Sequence, residues 1–248
     1  MSLPKAKFRP MTLEENIENI KQAYFSEGDV HNYTIKYYKE LASIGDSLSD
    51  DKIVKTIEKA VEKKYKENID LIKEDVKRYN SIWNNYNDLY FEELSNYFKI
   101  DWPLIDTIDA SVGLIAVFPR YLDSFAFSIG TKLNDSVLIR VVAHETLHFM
   151  WFQKWRVIYP EISRNEYEAP YLSWQYSEMV TDTILNNKPF TSTFNNAFKE
   201  RSYEYFYSLY DGKKLVMNKL YSIFCSDYGI EEKMKLGFEY LKKYYDNK

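Results

Sequence analysis

The chain has 248 residues, 45% hydrophobic and 17% aromatic, which is enough to bury a sizeable core in one large or two small domains and argues against disorder. A formal net charge of −4 supplies no basic footprint for nucleic acid, and no apolar run of about eighteen residues is present to span a membrane. The lone Cys225 excludes an internal disulfide and any Cys-rich zinc site, and with no basic-then-apolar leader at the N-terminus the expected compartment is the cytoplasm.

Only seven Gly and seven Pro punctuate the chain, so helices are favoured over a turn-rich sheet. Thr12-Leu-Glu-Glu15 has the pattern of a capping box and predicts a helix running to Gly28, a residue suited to a helix stop. A second helix is expected over Asn32–Ile44, ending at Gly45. His31 falls in the link between them and reads as a loop histidine, the alternative being a catalytic group brought in from a distance. From Ser49 to about Phe98, apolar residues recur at three- and four-residue steps (Ile53, Ile57, Val61, Tyr65, Ile72, Tyr79, among others). That stripe predicts either one very long helix or two broken near Asn84-Asn85.

Composition changes at Asp101-Trp-Pro103. Ser111–Phe118 and Tyr121–Ile129 are rich in β-branched and aromatic residues and read as two strands. A sheet directly before a catalytic helix has a use, because an exposed edge strand binds an extended peptide by backbone hydrogen bonds.

A helix is expected next over Val137–Trp155, VLIRVVAHETLHFMWFQKW, with Asn134 or Asp135 as its N-cap. Two of the three histidines lie here four positions apart, so His144 and His148 share a helix face and can reach one ion. Glu145 sits about 100° round the helix, where it flanks that ion. This is H-E-x-x-H: two nitrogen ligands for a divalent metal and a carboxylate placed as general base. The flanks are apolar almost all round, as in a buried helix, and buried histidines and a glutamate need partners. A metal satisfies all three together, whereas a pair of backbone-bonded core histidines is the bland alternative.

Beyond a polar link, Pro170 opens a helix over Tyr171–Leu185 that ends at Asn186-Asn187. Glu178 and Asp182 lie one turn apart on it and repel each other unless a cation is close. A third metal ligand has to come from Glu161, Glu166, Glu168, Glu178 or Asp182. The first three sit in the link, where the backbone is a poor platform for a ligand; the other two ride a helix with apolar neighbours. Phe194–Tyr210, Lys214–Phe224 and Ile230–Tyr245 are expected as three further helices.

His144-Glu145-Thr-Leu-His148, followed thirty positions later by Glu178 with Asp182 one turn on, resembles the gluzincin zinc metallopeptidases, the thermolysin-like enzymes among them. The resemblance covers roughly Ser111 to Leu185. It implies one Zn²⁺ held by His144, His148 and Glu178, with Glu145 as general base, Asp182 orienting His144, and a peptide or protein substrate. Trp151 and Lys154 occupy positions where a metzincin needs glycine and histidine. No histidine follows His148, so the oxyanion donor has to be a tyrosine or arginine, the candidates by position being Tyr203, Tyr205, Tyr207 and Arg201. No G-x-M-E-N-like exopeptidase element precedes the motif.

The expected architecture is α+β and mostly helical: a zincin-like core in residues 101–248 with a small sheet before the metal helix, and a helical region in 1–100. A non-catalytic helical binding or regulatory protein with a structural or vestigial zinc, and a zinc-dependent hydrolase of a non-peptide amide, are the rival functions.

Overall fold

The computed structural model describes residues 3–44 and 49–247 and is a mostly helical α+β protein. No described helix is long and apolar enough to cross a membrane. Contacts divide the chain into two units, one of residues 5–85 with 107–135 and one of residues 1–4, 86–106 and 136–248.

The first unit holds a four-stranded sheet of order β1-β2-β4-β3. Its strands are β1 (Lys5–Pro10), β2 (Thr107–Gly113), β3 (Arg120–Tyr121) and β4 (Ala126–Gly130). β1 and β4 flank β2 in parallel, and β3 pairs antiparallel with β4. At the centre Ser111 faces Ser128, their buried hydroxyls 2.8 Å apart. Helices α1 (Leu13–Phe25), α2 (Asp29–Tyr37) and α3 (Asp50–Trp83) complete the unit, with a 3-10 turn at Lys39–Ser43.

The capping box forms as expected: Thr12 Oγ1 accepts from Glu15 N and Glu15 Oε2 from Thr12 N. α1 stops at Phe25, short of Gly28. α2 begins at Asp29, so His31 is helical and not in a link; its Nδ1 faces the Tyr24 carbonyl. Gly45, the expected stop, lies outside the described residues.

α3 is a single helix of 34 residues, roughly 50 Å long, and the break falls at Asn84-Asn85 before α4 (Asn87–Phe98). Its buried stripe includes Ile57, Val61, Ile72, Tyr79 and Trp83. Polar groups of α3 also fasten the sheet. Asn80 accepts from Phe8 N and donates to Phe8 O (3.1 and 3.0 Å), which satisfies the outer backbone of the edge strand β1 at Phe8. Asp75 accepts from Lys132 N at 2.7 Å, and Tyr79 both donates to Gly130 O and accepts from Leu133 N.

The two expected strands are trimmed. Asn16 Oδ1 takes Leu114 N at 2.8 Å, which diverts the chain after Gly113, so 114–118 leaves the sheet. A Cβ on Gly113 would lie 2.6 Å from Met11 Sδ and 2.7 Å from Asn16 Oδ1, so a larger residue here would have to push both side chains aside. Tyr121–Ile129 is interrupted by a turn containing Phe125 at φ 49°.

The second unit packs α4 with α5 (Asp135–Ile158), α6 (Leu172–Leu185), α7 (Phe190–Thr193), α8 (Val216–Phe224) and α9 (Ile230–Asp246). α5 is buried on nearly all sides, and its Trp151 and Trp155 rings meet Tyr176 of α6 edge-on at 5.1 and 5.9 Å. Tyr176 in turn donates to Met234 O of α9 at 3.1 Å. The helix expected over Phe194–Tyr210 does not form. Asn195 and Asn196 adopt φ of 50° and 56°, a left-handed conformation that ends helical continuation, and only a 3-10 turn at Glu204–Ser208 follows. A hairpin, β5 (Tyr210–Asp211) and β6 (Lys214–Leu215), turns at Gly212 with φ 59°, so α8 starts at Val216 and not at Lys214.

Candidate metal centre

α5 and α6 carry the residues that matter, and both belong to the same unit. The four-residue spacing on α5 turns both imidazoles to one side, and Glu178 of α6 faces them. His144 Nε2 and His148 Nε2 are 3.1 Å apart, His144 Nε2 lies 3.2 Å from Glu178 Oε2, and His148 Nε2 lies 3.4 Å from Glu178 Oε1. One ligand atom from each residue can be chosen so that all lie within 4.8 Å of one another. An ion that holds nitrogen and oxygen at about 2.0–2.1 Å in tetrahedral geometry spaces its ligands about 3.3–3.4 Å apart. The His144–His148 and His144–Glu178 Oε2 separations are close to that edge length, His148 approaches the other carboxylate oxygen, Oε1, and the group can hold one metal ion.

Burial makes the arrangement demanding. His148 is fully buried and Glu178 only 2% exposed. The His148 ring lies nearly parallel to Phe152, which stacks on Tyr167 at 4.6 Å, so an aromatic column limits its rotation. Tyr90 donates to the carbonyl of Ala143 at 2.6 Å, directly before His144.

Electrostatics point the same way. Burial pushes the pKa of His144 down, but Glu178 and Glu200 outweigh it and hold the imidazole well above the usual histidine range. Burial pushes Glu178 up, and the two imidazoles outweigh that and hold its carboxyl well below the usual range. The buried carboxylate and the imidazoles thus favour a positive charge between them, a role that a proton or a cation can fill.

The other residues named from sequence fall in different places. Glu145 is buried on α5 between the two histidines, 8% exposed. Glu161 and Glu168 are exposed, and Glu166 accepts from Ser163 N, capping the 3-10 turn Arg164–Tyr167, so none joins the group. Asp182 is not hydrogen-bonded to His144. Its Oδ1 accepts from Ser202 N at 2.8 Å and its Oδ2 from the Tyr207 hydroxyl. Burial, with the charge of Glu200 adding to it, raises the Asp182 carboxyl, while these two donors oppose the rise. Tyr207 is therefore committed to Asp182, and burial together with that carboxylate pushes its phenol up. Tyr203 stands against Trp174 and Tyr205 and is 43% exposed. Tyr205 is raised chiefly by burial, with the charge of Glu178 also acting on it. Arg201 pairs with Glu204 at 2.6 Å and covers the Tyr207 ring.

Sequence reasoning missed Glu200. Its side chain is wholly buried, with Oε1 3.6 Å from His144 Nδ1 and 3.2 Å from Arg140 Nη1. It arrives there because residues 200–207 are fastened along one face of α6. Glu178, Asp182 and Asn186 follow at four-residue steps. The Glu178 carbonyl accepts from Ser202 Oγ at 3.3 Å, and Asp182 takes Ser202 N and Tyr207. Asn186 exchanges two 2.8 Å hydrogen bonds with the backbone of Glu200. The signal open to a sequence reader was that third polar residue, Asn186, continuing the Glu178–Asp182 face.

Compared with protein-family models, with curated proteins and with solved structures, the chain matches none.

Proposed function

We propose that this chain is a zinc-dependent hydrolase of peptide bonds, of the gluzincin type. The observation that carries the reading is the buried triangle of His144, His148 and Glu178 with Glu145 in the same helix between the two histidines. Its donor set, two imidazoles and one carboxylate, suits zinc, and three protein ligands are the number that leaves a fourth position for water or substrate. When bound, zinc acidifies a water molecule and polarises a substrate carbonyl.

The chain's own residues supply the remainder. His144 and His148 present neutral nitrogens and Glu178 a carboxylate that neutralises half of the ion's charge. Glu145 accepts the proton of the attacking water on its carboxylate and returns it to the departing amide nitrogen. A structural zinc has no use for a base beside it, which favours catalysis over a vestigial site. Of the tyrosines named from sequence, Tyr207 is engaged by Asp182, which leaves Tyr203 and Tyr205 as the candidate donors to the developing oxyanion.

The test is Glu145→Gln, which keeps the shape and removes the base. Zinc content is expected to remain near wild type while cleavage of a peptide library falls by about two to four orders of magnitude, the range of general-base catalysis. Equal cleavage by the two proteins would show that Glu145 is not the base.

A further inference from the structure

We infer that Glu200 is the positioning residue of His144: its carboxylate accepts a hydrogen bond from Nδ1–H and so keeps the Nε2 lone pair turned toward the ion. The inference rests on the metal reading of the site and assigns a role to a residue outside the H-E-x-x-H and E-x-x-x-D pattern. Two of the buried atoms without a hydrogen bond belong to side chains that face each other. Among the described residues His144 Nδ1 and Glu200 Oε2 have no hydrogen-bond partner, and Glu200 Oε1 is already 3.6 Å from that nitrogen. This separation is slightly too long for a hydrogen bond. A movement of a few tenths of an ångström, as the imidazole seats on an ion, closes it and satisfies Nδ1.

Asp182, one turn from Glu178, is less well placed for the task. Both oxygens of Asp182 already accept, one from Ser202 N and one from Tyr207. Glu200, by contrast, is held from outside the site. Asn186 clamps its backbone from both sides, and Arg140, whose side chain is 31% exposed, approaches the carboxylate. A surface ion pair with Arg140 would not require the carboxylate to be wholly buried against an imidazole. Fixing the tautomer of a ligating histidine is a use for an acceptor buried at that nitrogen.

The experiment is a competition titration of the full chain with Zn²⁺ against a chelator, for wild type, Glu200→Ala, Glu200→Gln and Asn186→Ala. Alongside it, nitrogen–proton spectra of the histidine rings are recorded with zinc bound. Glu200→Ala is expected to weaken zinc binding roughly 10- to 100-fold and to remove the protected, downfield Nδ1–H resonance of His144. Glu200→Gln retains a carbonyl acceptor and is expected to keep most of the affinity and the resonance. Should Glu200→Ala fail to fold, Asn186→Ala loosens the same carboxylate without removing it and is expected to weaken binding and shift the resonance. Zinc affinity within twofold of wild type, or an unchanged resonance, in the variant that loses or loosens the carboxylate would overturn the assignment while leaving the metal site intact. Failure of the wild-type chain to bind zinc would overturn the site and this role with it.

Discussion

Replacing Gly237 with alanine sets two opposing effects against each other. Gly237 lies inside α9, where alanine is favoured by about 1 kcal/mol on helix propensity alone. Its Cβ, however, would lie 2.1 Å from the Tyr176 hydroxyl oxygen, 2.8 Å from Cζ and 3.0 Å from Cε2, all far inside ordinary contact. Tyr176 is fully buried, edge-on to Trp151 and bonded to the Met234 carbonyl, so it has nowhere to retreat. Overpacking of this kind costs about 1–3 kcal/mol, and a buried hydroxyl driven off its acceptor about 1–3 more. The net expectation is a loss of roughly 2–3 kcal/mol, or about 4–12 °C in Tm for a chain of this size. Thermal and denaturant unfolding measure it directly. Because Tyr176 lies two residues before Glu178 on α6, the variant should also bind zinc more weakly than wild type. A Gly237→Ala protein as stable as wild type, or more so, would refute the packing argument.

Other substitutions probe the site and the sheet separately. Glu178→Ala should remove most of the zinc affinity, while Asp182→Asn should reduce it by less, because it only loosens Ser202 and Tyr207; a chelator competition ranks the two, and the reverse order would contradict the geometry. Arg9 bridges Glu15 (2.7 Å) and Asp109 (2.8 Å) and, through that hydrogen bond, holds the Glu15 carboxyl below its usual range. The folded pKa is depressed, so this stabilisation is complete above the ordinary carboxylate range and lost as pH falls through the lowered value. Both side chains are more than a third exposed, so Arg9→Met should cost about 1 kcal/mol or less at neutral pH, and nothing at a pH low enough to protonate both carboxylates. A cost that persisted at low pH would rule out the ion pair as its source.

Those parts of the fold that depend on local pattern were legible. The Thr12–Glu15 box, the stripe of α3 with its break at Asn84, and the buried faces of α5 and α6 all follow from neighbours within a few turns. So does the convergence of His144, His148 and Glu178, since two helices with one functional face each have few ways to pack. The parts that depend on distant partners were not. β1, KAKFRP, alternates lysine and arginine with apolar residues and ends in proline; it is a strand because β2 pairs with it a hundred positions away and Asn80 holds its free edge at Phe8. Residues 194–210 have helical spacing, yet two left-handed asparagines and the hydrogen bonds to α6 draw the segment into an irregular strap. The same cause hid Glu200, whose place beside His144 depends on Asn186 and Arg140 and on no motif of its own.

The central claim is that His144, His148 and Glu178 hold one zinc ion, and it is tested most directly by titrating the metal-stripped full chain with Zn²⁺ against a competing chelator and counting the equivalents bound. One tight equivalent per chain, abolished by His148→Ala, is the expected result. No binding by the wild-type chain, or an equivalent that survives the loss of His148, would contradict it.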